Sequence, residues 1–281
     1  VLGNDYDIQK RYQTDVTAAD LDGADLILVY YWYQFEAMQR LDGCFRKHRQ
    51  KLLIGVCSHA EIEGARGEIG RALLTDLARG IFMVNAILFR DHAKLFDAPV
   101  FYTPNGVDVE FYKPITGKQS SSPLRVGWAG SLNNQTPQHR GYYDLIVPAV
   151  SSVESVQLVT AIREETWRGP EEMREFYCSL DLYLCASRKE GTPNPCMEAA
   201  ACGVPIVTAR VGAMPELVVH GLNGFFIEHD VEDIAGKLRL LRDNPDLRGL
   251  MGQQIRKDIR AWDWSIRAES YRQMFGQTLR S

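Results

Sequence analysis

Ser187-Arg188-Lys189-Glu190-Gly191-Thr192-Pro193-Asn194-Pro195-Cys196-Met197-Glu198-Ala199-Ala200-Ala201-Cys202-Gly203-Val204-Pro205-Ile206-Val207 is the stretch whose reading decides the fold. It follows Leu180-Asp181-Leu182-Tyr183-Leu184-Cys185-Ala186, a short apolar run whose length and content suit a buried parallel strand. Cys196 to Cys202 is rich in helix formers, and Gly203 with Pro205 marks a C-terminal stop before the next apolar run. The reading is strand, loop, helix, strand, with the loop at the carboxyl end of the sheet, where ligands of open α/β folds bind. Gly191 admits close approach to a ligand, Pro193 and Pro195 stiffen the loop, and a helix beginning near Pro195 turns its amino end outward. A phosphate is the natural guest there, and Glu190 and Glu198 can accept hydrogen bonds from sugar hydroxyls.

Taken singly, Glu190 reads as a solvated loop charge and Glu198 as an ordinary helix residue. Together with Gly203-Val204-Pro205-Ile206-Val207 and Gly212-Ala213-Met214-Pro215-Glu216-Leu217-Val218, the pair resembles the Glu-x7-Glu signature of retaining glycosyltransferases of the GT-B fold, most closely family 4. The resemblance implies two Rossmann-like α/β domains facing each other across a cleft. It implies that Glu190 contacts the donor sugar near its reacting carbon and that Glu198 holds the ribose. The backbone of Gly191, Thr192, Pro193, Asn194, Pro195 and Cys196 would hold the diphosphate. It also suggests a phosphate-binding role for Arg140, which precedes Gly141 after the glycine-ended strand Leu124 to Gly130. Where the family commonly has an arginine after that glycine, this chain has Ser131-Leu132-Asn133-Asn134, so one phosphate partner is missing from the pattern. Arg163 and Trp167 fall where the family places the nucleotide base, and His59, at the end of the strand Lys51 to Cys57, is the candidate polar group toward the sugar.

At 281 residues the chain suits two α/β domains of ordinary size. A formal net charge of −4 excludes a nucleic-acid binder that works by blanket phosphate neutralisation, so any phosphate site is local. The six cysteines show no Cys-x-x-Cys spacing and read as small buried residues of a reduced, cytoplasmic protein. No apolar run approaches the ~20 residues needed to cross a bilayer, which leaves at most peripheral contact at the inner membrane face.

Along the chain, Asn4 to Tyr12 reads as an edge strand and Trp32 to Arg49 as a core-facing helix. Asp20-Leu21-Asp22 matches an Asp-x-Asp metal motif by chance. The chain begins with Val1, and no strand with a glycine-rich turn precedes Asp7, so the amino-terminal domain is expected to be truncated or reduced. Pro104-Asn105-Gly106-Val107-Asp108 resembles the family segment that leads into the interdomain linker, with Gly117 to Pro123 as that linker. The expected division is residues 1–118, an acceptor-side domain; 119–262, a nucleotide-sugar domain; and 263–281, a terminal helix crossing back to the first.

The resemblance thus implies a metal-independent retaining glycosyltransferase without cofactor. It would use a UDP- or GDP-linked sugar and a glycan or lipid-linked acceptor of polysaccharide biosynthesis. A nucleotide-sugar epimerase and a non-catalytic nucleotide-sugar binding module are the alternatives.

Overall fold

The computed structural model describes residues 1–115, 122–133 and 137–280. The chain forms two compact units, Val1–Gly106 with Trp264–Ser281, and Val107–Asp263. The expected linker lies largely outside the described residues. The division at Gly106 comes earlier than the expected one because Val107 N–H donates to the Trp262 carbonyl at 2.9 Å and Val109 N–H to the Asp263 carboxylate at 3.2 Å. These bonds staple the start of the second unit to its own end.

In the first unit, β1 (Ile27–Val29), β2 (Leu52–Val56), β3 (Gly80–Met83) and β4 (Val100–Tyr102) form a parallel sheet in the order β1-β2-β3-β4. Alternate residues serve opposite faces. Ile54, Ile81 and Met83 join one cluster with Trp32, Phe45 and Leu74. Leu53 and Phe82 join another with Tyr271, Met274 and Phe275 of the helix Trp264–Arg280. Parallel strands buried on both faces carry apolar residues at successive positions, which is why these runs are legible in sequence.

Two local expectations for this unit fail. Asn4 to Tyr12 forms no strand; a single helical turn, Leu2–Asn4, precedes irregular chain. Trp32 to Arg49 is not one helix but short pieces at Gln34–Ala37, Gln39–Leu41 and Asp42–Lys47. The apolar spacing is satisfied, since Phe35, Met38, Leu41 and Phe45 are all buried, but turns between the pieces achieve it. A pattern of buried positions constrains the face and not the continuity of the backbone. Asp20 and Asp22 have other duties: Asp20 closes a capping box with Thr17, and Asp22 pairs with Lys47 and His48.

In the second unit, β5 (Leu124–Gly130), β6 (Val156–Ile162), β7 (Leu182–Cys185), β8 (Ile206–Thr208) and β9 (Gly224–Phe226) are parallel in the order β6-β5-β7-β8-β9. Along β7, Leu182 and Leu184 face a core with Ile146, Ile234 and Leu238, while Tyr183 and Cys185 face one with Tyr177, Met197 and Ile255. β6 and β7 lie on opposite sides of β5, so the order in which the chain adds strands reverses there while every strand stays parallel. That reversal opens a crevice beyond the strands' carboxyl ends. Among the described residues, no helix is long and apolar enough to cross a membrane.

Candidate functional site

The loops after β5 and β7 meet at that reversal. Gly141 has a φ of +64°, and an added Cβ would lie 2.5 Å from the Ala186 carbonyl oxygen. Only glycine lets the first loop pass so close to the end of β7. Arg188 N–H then donates to the His139 carbonyl at 2.9 Å, fixing the two loops side by side. As a result Arg140 Nη1 lies 2.5 Å from Glu190 Oε1, a charge-assisted pair 50 residues apart in sequence and mostly sheltered from solvent.

The Glu190 loop is held from its other side by the segment after β8. Gly212, with φ +52°, approaches so closely that a Cβ there would stand 2.2 Å from the Gly191 carbonyl oxygen. Ala213 N–H donates to that same oxygen at 3.0 Å. The Gly212-Ala213-Met214-Pro215-Glu216 motif thus contributes by bracing the loop.

Two buried polar atoms of this loop pair, Arg140 Nε and Thr192 Oγ1, have no hydrogen-bond partner among the described residues. An unpaired buried polar atom costs about 1–3 kcal/mol, so both are donors a polar ligand can satisfy. Arg140 can serve Glu190 through Nη1 and a second anion through Nε at the same time. Burial pushes the His139 imidazole below its ordinary pKa, partly offset by Glu190, while Arg140, Lys189 and Arg188 act in the same direction as burial.

The helix Asn194–Ala201 begins where expected, with Pro193 at its N-cap. Its first amides are less available than the sequence suggests. Asn194 N–H donates to the Thr192 carbonyl and Cys196 N–H to the Pro193 carbonyl, both at 2.9 Å, while Pro195 has no N–H. The Cys196 thiol points into the core. Burial raises its pKa, and its hydrogen bond to Cys185 lowers that of Cys185.

Glu198 stands one turn along this helix, where Tyr177 donates its hydroxyl to Oε2 at 2.6 Å. Burial raises the Glu198 carboxyl above its ordinary value, partly offset by hydrogen bonds from Tyr177 and Tyr112. Neither tyrosine was a sequence candidate. Tyr177 lies on the helix Pro170–Cys178 and Tyr112 in the segment after Gly106, and no spacing connects them to Glu198.

On the other flank of β5, Arg163 N–H donates to the Gly130 carbonyl at 3.0 Å. The Arg163 guanidinium lies over the Trp167 ring at 5.3 Å, and that ring is 72% exposed. The structure therefore joins the two residues that the sequence offered for a nucleobase. At the position lacking an arginine, Glu164 binds the Ser131 hydroxyl and the Leu132 amide, which puts a carboxylate where a cation would help a phosphate.

His59 belongs to the first unit and opens the turn His59–Glu61 after β2. Its imidazole meets that of His92 edge-on, with ring centroids 5.4 Å apart. Two residues further on, Glu61 is buried, takes the Cys57 N–H on Oε1 at 3.0 Å, and is pushed up to about 7 by burial.

Residues 146–244 match the family described as Glycosyl transferases group 1. The sulfoquinovosyl transferase SQD2 of Arabidopsis thaliana is 33% identical over 110 residues, covering 36% of this chain and 22% of that protein. A D-inositol 3-phosphate glycosyltransferase of Corynebacterium efficiens is 32% identical over 111 residues, covering 39% and 26%. The matched stretch is thus less than a third of these relatives' length. Among solved structures, Anabaena HepE in complex with UDP superimposes with a TM-score of 0.74 at 15% identity, covering 92% of this chain and 80% of that one. Sucrose-phosphate synthase from Thermosynechococcus elongatus gives 0.67 at 16% identity, covering 91% and 74%. The fold is GT-B, built from two parallel α/β sheets.

Proposed function

We propose that this chain acts as a retaining, family 4-like glycosyltransferase that moves a sugar from a nucleotide-diphosphate donor, UDP- or GDP-linked, to a hydroxyl of a glycan or lipid-linked acceptor. The observation that carries the reading is the Arg140–Glu190 pair at the reversal of the second sheet, flanked by the unpartnered Arg140 Nε and Thr192 Oγ1. The group 1 match over residues 146–244 supports it, as does the likeness to a structure that holds UDP.

In this proposal Glu190 receives hydroxyls of the donor sugar, and Arg140 Nε with Thr192 Oγ1 receives the diphosphate. Glu198, already oriented by Tyr177, takes the ribose, and Arg163 with Trp167 takes the base. Gly130 leaves room beside them, and Gly191, Pro193, Asn194, Pro195 and Cys196 shape the loop. His59 retains the polar contact to the sugar that the resemblance gives it. The cationic groups offset negative charge as the diphosphate leaves, which is how preorganised donors can serve in place of a metal ion. Retention follows from attack on the face the diphosphate leaves, with a departing phosphate oxygen accepting the acceptor's proton. The reaction belongs to the cytoplasm, with a peripheral contact at the inner membrane face for a lipid-linked acceptor.

The test is thermal shift against a panel of nucleotide sugars, followed by product analysis with the donor that binds. The proposal expects a shift from one UDP- or GDP-sugar and new glycoside only when acceptor is added. Isomerised sugar or free nucleotide without acceptor would instead indicate an epimerase, and a shift with no turnover a binding module. No shift with any nucleotide sugar would end all three readings.

A further inference from the structure

Three side chains with metal-ligating atoms converge from separate elements of the first unit. His59 opens the turn after β2, Glu63 is the N-cap residue of the helix Gly64–Leu77, and His92 ends the helix Ala86–His92. One ligating atom from each lies within 4.8 Å of the other two. Glu63 N–H donates to the His59 carbonyl at 2.9 Å, which holds two of the three on a single turn of chain.

We propose that His59, Glu63 and His92 bind a divalent transition-metal ion, zinc foremost, with a fourth position open to water or another ligand. The donor set argues for this class: two imidazoles and one carboxylate suit Zn2+ or Co2+, whereas Mg2+ and Ca2+ take oxygen ligands. Spacing agrees. His92 Nε2 and Glu63 Oε1 are 3.5 Å apart, and ligands about 2.1 Å from a tetrahedral zinc ion stand ~3.4 Å from one another. The wider separations close by rotating His59 and Glu63, whose side chain is 42% exposed.

This site goes beyond the proposed transfer reaction and does not depend on it. It engages the same His59 imidazole, so zinc occupancy and a sugar contact by His59 exclude each other, and zinc is expected to inhibit turnover. All three ligands belong to the first unit, so donor binding at the Arg140–Glu190 site is a separate measurement.

The experiment titrates the metal-free full chain with Co2+, reads the visible absorption, and then displaces the cobalt with Zn2+. The expected result is stoichiometric uptake with the intense visible bands of a four-coordinate ion and no near-ultraviolet thiolate band. Outer-sphere partners alone are worth about 10–100-fold in affinity, so His92→Ala should weaken zinc binding at least ~100-fold. Glu63→Gln, at an exposed helix start, should weaken it in the same direction and covers the case in which His92→Ala fails to fold. A weak octahedral spectrum, a thiolate band indicating cysteine ligation, or unchanged affinity in a folded His92→Ala or Glu63→Gln variant would overturn the assignment.

Discussion

The two sheets have the same parallel sense and burial on both faces, but they differ in strand order. In the first unit the described strands follow one another across the sheet, β1-β2-β3-β4, and in the second the order reverses at β5. The consequence is chemical. Loops that leave adjacent strands in opposite directions cannot cover the space between them, so polar groups of both loops can line a crevice. In the second unit those groups are Arg140, Glu190 and Thr192. In the first, polar residues from the segments after β2 and β3 collect instead, as His59, Glu63 and His92. The group 1 match, residues 146–244, lies wholly in the unit with the reversal.

The sharpest way to break this comparison is to remove one polar side chain from each unit. Arg140→Met should abolish the thermal shift given by the bound nucleotide sugar and cut transfer ~100–1000-fold, the range for losing one preorganised donor to developing charge. His59→Ala should leave the shift in place and reduce turnover alone. Equal loss of donor binding in both variants would erase the distinction.

A matched pair of glycines gives the next effect. Gly212 and Gly64 both have positive φ, but a Cβ at Gly212 would strike the Gly191 carbonyl, whereas at Gly64 it would meet open space. Left-handed strain costs about 1–3 kcal/mol, so Gly64→Ala should lower stability by no more than that. Gly212→Ala should exceed it and disturb donor binding as well. Chemical denaturation followed by tryptophan fluorescence, with donor titration, measures both.

Glu198 supplies two smaller effects. Tyr177→Phe removes a hydrogen bond to a partly buried carboxyl and should destabilise by about 1.5 kcal/mol, measured by the same denaturation. The folded-state pKa of Glu198 is raised above its unfolded value, so the folded chain binds the proton more tightly. Its contribution to stability is therefore greatest below the ordinary carboxylate range and declines as pH rises through the raised value. In Glu198→Gln, Tm should fall less between acid and neutral pH than in the unsubstituted protein. Parallel curves would mean that burial does not raise the Glu198 carboxyl in the folded chain.

Much of the second unit was legible because its signals are local. The apolar run at Leu182–Cys185, the helix formers of Asn194–Ala201 and the stop at Gly203 each follow from neighbours in sequence. Glu190, Glu198 and Arg140 were marked as candidates by motif and position. Their partners were not, because Tyr177 and Tyr112 carry no periodicity that separates them from other core aromatics. The Trp32 to Arg49 segment shows the opposite failure: its apolar spacing was read correctly, yet the chain reaches those buried positions by short turns.

The sequence by itself determined where the strands of both sheets run, though it also marked Asn4 to Tyr12, which forms none; it determined where the loop after β7 falls and which acids and bases flank it, since these depend on residues a few positions apart. Only the tertiary structure decided that Arg140 pairs with Glu190, that Gly212 braces the loop, that the Asn194 and Cys196 amides turn back on the chain, and that His92 joins His59 and Glu63. Apart from those two amides, which bond only two and three residues back, each of these contacts joins segments through strand order and loop packing, and the free energy that selects them comes from burying both faces of a sheet rather than from any local preference.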